Sequence, residues 1–334
     1  MALEKDDLEI LGGIRFGKTL GAPVAVVVRN TEWQRWTEEM SSEPGSSDRQ
    51  LTTPRPGHAD LAGMQKYDTH DARDILERSS ARETAARTVA GTLAKLYLDE
   101  VGVFVLSHVL AVGSVRVSRT DVPGVDALDQ IDASPVRTFD GGAETAMLAE
   151  IARAHDERDT LGGIIEVVVH GLPAGVGSHV QWDRRLDGRL AGALMSIPAI
   201  KGVEIGDAAA VAASDGSSAH DEIDYQSGHF VRATNRAGGL EGGMSNGEPL
   251  IIRAAMKPIS TLMRPLRSVD VVTKEPGEAF RERSDVCSVP AAGVVAEQMA
   301  AFVIADEMAR MLGGDTMDEV RDRIASYRAR LEQF

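Results

Sequence analysis

Strand-like and helix-like segments in this chain come in clusters and not in strict βαβα alternation. That pattern favours an α+β architecture over a doubly wound parallel sheet. Near the start, residues 8–11 and 23–29 (PVAVVVR) flank a Gly-rich connection, residues 12–21, and predict a hairpin or meander. Residues 101–117 read as strand, as do the mostly apolar run IIEVVVHG (164–171) and LIIRAAMKP (250–258), which ends at its proline. Helices are predicted over residues 80–98, 143–155, 186–197 and 291–312, the last long and apolar. Ser80-Ala81-Arg82-Glu83 and Thr316-Met317-Asp318-Glu319 both have capping-box spacing. The first opens a helix with Ala81, Ala85, Val89, Leu93 and Leu96 as an apolar stripe. The second opens a final helix with Met317, Val320, Ile324 and Leu331 on one face. Residues 37–56 are polar and rich in Ser, Pro and Glu, and read as a long surface loop. Neither an internal repeat nor a composition break marks a boundary, so residues 1–334 are expected to form a single domain.

Composition excludes several classes of function. Hydrophobic residues make up 43% and charged residues 26% of 334, which supports a buried core. Aromatics are only 4%, so aliphatic and small side chains must fill that core. A formal net charge of −15 repels nucleic acid and anionic membrane, and any anionic ligand needs a local basic pocket. The single cysteine, Cys287, allows no intrachain disulfide and reads as a small core residue in a reducing compartment. MALEKDDLEI has no apolar leader core, and no run of about 18 apolar residues is expected anywhere in the chain. These features together predict a cytoplasmic protein.

The segment around Ser80 carries the clearest chemistry. Arg78-Ser79-Ser80 precedes a predicted helix start, with Arg82 and Arg87 inside the helix, and a helix N-terminus attracts anions. The same residues also fit a capped surface helix with ordinary charge pairs. His58 lies in Arg55-Pro56-Gly57-His58-Ala59-Asp60, where proline and glycine fix a turn and charges flank the ring. It is a proton donor or a solvated loop histidine. NRAGGLEGGMSNG (235–247) holds five glycines in thirteen residues and must be loop, open to close approach of a ligand. Lys257-Pro258-Ile259-Ser260-Thr261 offers a cation and two hydroxyls, or simply a strand-ending turn. Arg283-Ser284-Asp285 offers a cation and a carboxylate, or a cap and an ion pair. The other seven histidines (His70, His108, His155, His170, His179, His220 and His229) lack metal-ligand spacing and read as structural or solvated; no metal is expected.

Taken together these segments resemble the chorismate synthase family. The matching runs are RPGHAD (55–60), ERSSARETAARTVAG (77–91), DASPVR (132–137), DTLGGIIEVVVHGLPAGVGS (159–178), SIPAIKGVEIGD (196–207), TNRAGGLEGGMSNG (234–247), AAMKPIST (254–261) and RSDVCSVPAAGVV (283–295). They keep the family order and cover essentially the whole chain.

The resemblance implies an α+β sandwich of antiparallel sheets with helices between them, assembled as a homotetramer. It implies conversion of 5-enolpyruvylshikimate-3-phosphate to chorismate and phosphate, a 1,4-anti elimination that needs reduced FMN with no net redox change. The flavin is reduced by NADPH on the enzyme or by an outside reductase. Positions matching flavin contacts are Arg78, Ser79, Ser80, Pro198, Ala199, Gly242, Lys257, Pro258, Ile259, Ser260, Thr261 and Arg283. His58 matches one of two active-site histidines, and Asp285 matches a carboxylate near the flavin that assists proton transfer. Arg82 joins the same basic cluster as a substrate contact. The chain departs from the family at its start. The opening strand and the Gly-Glu-Ser-His-Gly motif, which carries the second histidine, have no counterpart here. A start codon placed too late is the expected reading. The alternative is a shortened, catalytically impaired relative that binds flavin or only assembles.

Overall fold

The computed structural model describes residues 7–47, 49–118 and 121–334. The first six residues, part of the stretch read as lacking a leader, lie outside the described residues. The chain divides into two compact units, Met1–Val89 with Ser260–Asp285, and Ala90–Ile259 with Val286–Phe334.

The first unit opens with β1 (Asp7–Gly12), β2 (Ile14–Arg15), β3 (Lys18–Thr19) and β4 (Ala25–Arg29). β1 pairs antiparallel with β4, and β2 with β3 forms a small hairpin between them, as the meander reading expects. Helices α1 (Asp60–Tyr67) and α2 (Arg73–Ser79) follow. Helix α3 (Thr84–Glu100) carries the chain into the second unit.

The second unit continues with β5 (Phe104–Val112), β6 (Val115–Arg116), α4 (Leu128–Ala133), α5 (Gly141–Asp156), β7 (Gly163–His170), α6 (Leu186–Met195) and β8 (Ile200–Ile205). Then come α7 (Ala208–Ala212), α8 (Gly216–Ala219), the hairpin β9 (Ile223–Gln226) and β10 (His229–Arg232), the short pair β11 (Leu240–Glu241) and β12 (Met244–Ser245), and β13 (Leu250–Met256). The chain returns to the first unit for the hairpin β14 (Arg267–Val269) and β15 (Pro276–Glu278). It ends in the second with α9 (Val289–Leu312) and α10 (Met317–Glu332).

A five-stranded sheet of order β6-β5-β7-β13-β8 organises the second unit, and its ladders are antiparallel. Strand side chains alternate between faces. Val105, Val109, Ile165, Val167, Val169 and Ile252 therefore enter one core with Ala296, Ala300 and Ile304 of α9. Leu106 and Val168 face the other way, onto Ala127 and Ile131. Helix α9 is long and apolar enough to cross a membrane by length and composition, which corrects the expectation that no such run exists. It serves as the core helix, and its buried Glu297 and Glu307 are met by Lys95, Arg137 and Ser107 and by Arg184 and Arg189. Thr316 caps α10 by accepting from the Glu319 N–H, and the Glu319 carboxylate accepts from Asp315 N–H, one residue earlier than a standard box.

Three local expectations are corrected. Ser80 caps a 3₁₀ turn, Ala81–Glu83, that precedes α3, and accepts from the Arg82 N–H; Glu83 pairs with Arg87 and does not close a box. The buried face of α3 is Gly91, Ala94 and Leu98, whereas Leu93 and Leu96 are 37% and 58% exposed. A Cβ on Gly91 would lie 2.3 Å from Gln298 Cβ and 2.6 Å from its carbonyl oxygen, so backbone proximity to α9 selects the face. Gly91→Ala is accordingly expected to cost about 1–3 kcal/mol in urea unfolding, as overpacking does. Third, the end of the polar stretch 37–56 is not a free surface loop. Thr52 Oγ1 donates to Asp270 Oδ2 at 2.6 Å, and Thr52 and Thr53 carbonyls accept from the Val271 and Phe280 N–H groups. This docking buries Arg55.

The candidate active site

His58, Asp60 and Arg55 form the most tightly held polar cluster of the first unit. Gly57 turns the chain at φ +77°, and the His58 N–H donates to the Arg55 carbonyl. Asp60, fully buried at the start of α1, accepts from Arg55 N–H at 3.0 Å, Nε at 2.8 Å and Nη2 at 3.1 Å, and from His58 Nδ1. Burial alone would raise the Asp60 carboxyl, but the His58 and Arg55 hydrogen bonds outweigh it and hold the group far below the ordinary carboxylate range. The ring also lies against Arg55 Nη2, 2.9 Å from Nδ1 and 3.2 Å from Nε2, so both nitrogens are in reach of the Asp60–Arg55 pair while the residue lines a cavity.

Arg55 carries the cluster further. Its Nη1 donates to Thr261 Oγ1 at 2.7 Å, and its guanidinium stacks over Phe280 at 4.6 Å. Thr261 is buried, and accepting from Arg55 leaves its hydroxyl proton free to donate. A cavity of about 880 Å³ opens on the cluster, lined by Arg55, His58, Leu61, Gln65, Arg267 and Lys274. The sequence reading treated Arg55 and Asp60 only as flanking charges. Their spacing in Arg-Pro-Gly-His-Ala-Asp was the available signal, but the 206-residue separation of Arg55 from Thr261 left none.

Arg78 and Ser79 end α2, and do not lie in a loop before α3. The Ser79 hydroxyl donates back to the Ile75 carbonyl at 2.6 Å. Arg78 is exposed and makes no ion pair among the described residues. Arg82 Nη2 donates to the Arg29 carbonyl at 3.3 Å. Arg283 and Asp285 are exposed at the end of this unit, and Ser260 is half-buried beside Thr261.

The remaining positions lie in the second unit. Ala199 adopts φ +69°, unusual for a side-chain-bearing residue, and its carbonyl accepts from the Lys257 N–H at 2.9 Å. That bond brings Pro198 and Ala199 beside Lys257, with Pro258 and Ile259 following. The Ile259 carbonyl accepts from Thr160 Oγ1 at 2.7 Å. Burial and then the charge of Lys201 push the Lys257 ammonium below its ordinary value. Gly242 and Gly243, at φ +60° and +87°, make the tight turn of the β11–β12 hairpin. The Gly-rich run is thus mostly loop, with this small hairpin inside it. Among the described residues no group of His, Cys, Asp and Glu is placed to hold a metal.

An antiparallel α+β fold, with a histidine and a guanidinium held by one buried carboxylate at a large cavity, defines an enzyme built for an anionic small molecule. A family model described as chorismate synthase matches residues 1–309, and the chain belongs to the chorismate synthase family, whose members are lyases. It is 53% identical over 344 residues to the chorismate synthase of Saccharopolyspora erythraea, covering 100% of this chain and 86% of that protein. It is 54% identical over 336 residues to that of Acidothermus cellulolyticus, covering 98% and 86%. A solved structure titled "Crystal Structure of Chorismate Synthase" superposes with a TM-score of 0.79 at 38% identity, covering 98% of this chain and 86% of that one. The α+β expectation and the family resemblance are both confirmed. The relatives named here are described as chorismate synthases, which lends nothing to the assembly-only alternative.

Proposed function

We propose that this chain converts 5-enolpyruvylshikimate-3-phosphate to chorismate and phosphate with reduced FMN as cofactor. The observation that carries the reading is His58, held through Nδ1 by buried Asp60 and lining the cavity beside Arg55.

The donor chemistry fits an anionic flavin. In the first unit the residues that would hold it are Arg78, Ser79, Ser80, Ser260, Thr261 and Arg283. The second unit carries the other positions that the family resemblance matches to flavin contacts, Pro198, Ala199, Gly242, Lys257, Pro258 and Ile259. Cations and hydroxyls suit phosphate, and the positive φ of Gly242 and Ala199 leaves backbone open to a flat ring. Reduced FMN, held by these residues, would supply electron density to the elimination and a site for the proton lost from the substrate ring.

The chain's own groups handle the leaving side. The substrate's C–O bond breaks with its electron pair going to phosphate, and a ring carbon loses a proton as the new double bond forms. A protonated His58 would stabilise or protonate the departing phosphate, while Asp60 holds the ring in place. Arg55 and Arg82 would offer positive charge to the substrate's anions, and the family resemblance gives Asp285 the proton relay at the flavin.

His58→Ala is expected to leave FMN affinity intact and lower turnover about 10²-fold or more. An anaerobic assay with chemically reduced FMN, following chorismate and phosphate, checks this; unchanged turnover removes His58 from the chemistry. Substituting NADPH plus oxidised FMN in the same assay distinguishes self-reduction from dependence on an outside reductase. A homotetramer and a cytoplasmic setting complete the proposal, the first tested by sedimentation and the second by fractionation.

A further inference from the structure

The second unit holds a cavity of about 470 Å³ that the chemistry above does not use. The end of β8, helix α7, strand β9 and the start of the Gly-rich run line it. Ile205, Val211, Ala212 and Ile223 make its walls apolar, and the short side chains of α7 leave the space open. A cavity of this size, mostly apolar with a few polar groups, suits a small organic molecule. Two of its polar groups are already spent. Asp221 Oδ1 accepts from Thr234 Oγ1 and from the Arg236 N–H at 2.8 Å, and its Oδ2 accepts from the Ala237 N–H at 2.9 Å. Glu241 accepts from Arg232 Nε at 3.1 Å and Nη2 at 2.9 Å, and from Asn246 Nδ2 at 3.0 Å.

Arg236, half-buried in the same lining, is the reverse case. Its N–H donates to Asp221 and its carbonyl accepts from the Asp207 N–H at 2.9 Å, so its backbone is pinned from both sides. Its charge reaches Asp221, but its guanidinium makes no hydrogen bond or ion pair among the described residues. The exposed His220 also lines the cavity, and its ring makes no hydrogen bond there either. The strongest unspent group is therefore a forked donor on a fixed backbone, set beside apolar walls. A guanidinium fork matches a carboxylate, and a pinned backbone lowers the cost of ordering it. An inorganic anion would leave the apolar walls wet, and a neutral apolar molecule would leave the guanidinium without a partner. We propose that this cavity binds a small carboxylic acid with an apolar body, the carboxylate on Arg236 and the body against Val211, Ala212 and Ile223.

The test uses the full chain and 3-phenylpropanoate as probe, with binding read by isothermal titration calorimetry. The parent is expected to bind it saturably with a Kd of about 1 mM or tighter. Arg236→Gln is expected to weaken binding about 10-fold or more, the range of a lost charge-assisted hydrogen bond. Ala212→Phe puts a ring into the cavity from an exposed helix position and is expected to abolish binding. Neither change removes a side-chain hydrogen bond, so both variants should fold, which circular dichroism checks. 3-Phenylpropanol carries the same body without the charge, and inorganic phosphate carries charge without the body. Each is expected to bind at least about 10-fold more weakly than the probe. A parent that does not bind 3-phenylpropanoate overturns the inference. Binding that survives unchanged in either variant places the probe elsewhere and overturns it too. The alcohol or phosphate binding as tightly as the probe overturns the ligand class.

Discussion

Asp60→Asn is expected to lower turnover about 10²-fold or more, the range spanned by loss of a working general acid. The amide keeps the shape of the carboxylate but not its charge. Two cations then face a neutral group, and the amide nitrogen is a donor set against donors. The ring is then no longer held by a carboxylate, and its contribution at the leaving phosphate is lost. The same change strands Arg55, whose Nε, Nη2 and backbone N–H all donate to Asp60. Breaking a buried ion pair from one side typically costs about 3–5 kcal/mol, so urea unfolding should register the loss alongside the assay. Turnover equal to that of the parent would mean that Asp60 does not orient His58.

The pH dependence follows from the direction of the Asp60 shift. Its carboxyl is held far below the ordinary carboxylate range in the folded chain by its bonds to His58 and Arg55, which outweigh its burial. The unfolded chain therefore binds the proton first as pH falls. The Asp60 contribution is fully present above the unfolded value and drains away as pH drops below about 4 toward the folded value. Asp60→Asn should remove that part of the acid sensitivity, giving a flatter stability curve in the acid range. An unchanged slope would place the acid sensitivity elsewhere.

Much of this fold is legible from local chemistry. The β1–β4 pairing, β7, β13, α5, α9 and α10 come from periodicity, caps and breakers that act within a few residues. The Asp140 side chain capping α5 and Thr316 capping α10 are of this kind. What escapes local reading is set by distant partners. Leu93 and Leu96 look like the inner face of α3 because large apolar residues usually are, but Gly91 meets Gln298 at backbone distance and turns them outward. The first unit is assembled from two segments far apart in sequence, so no composition break marks it. The site divides the same way. His58 and its carboxylate lie two residues apart and could be suspected. The Thr261 that completes Arg55 is brought there only by folding.

The second large effect is expected at Glu166, and it separates stability from chemistry. Sheet register places His108, Glu166, Arg253 and Glu204 in one row across β5, β7, β13 and β8. Glu166 is buried, accepts from His108 Nε2 at 2.9 Å and from Arg253 Nε at 2.7 Å, and is held below its ordinary value because these partners outweigh its burial. His108 Nδ1 is buried with no hydrogen-bond partner among the described residues, so Glu166 is the ring's polar anchor. Glu166→Ala leaves Arg253 without its inner partner and His108 buried with neither nitrogen satisfied. The expected cost is about 3–5 kcal/mol in urea or thermal unfolding. Glu166→Gln keeps one acceptor and should cost less, because the amide oxygen can still receive Arg253 or His108. The row is fastened to Asp207 through Arg253 Nη1 at 2.9 Å, and Asp207 is nearly half exposed, so its removal should cost only a fraction of that. The graded order, Glu166→Ala worst and Asp207→Ala mildest, is what a buried charge with a solvated end requires. Equal costs along the row would mean instead that water reaches Glu166 and that the strands are held by their apolar faces alone.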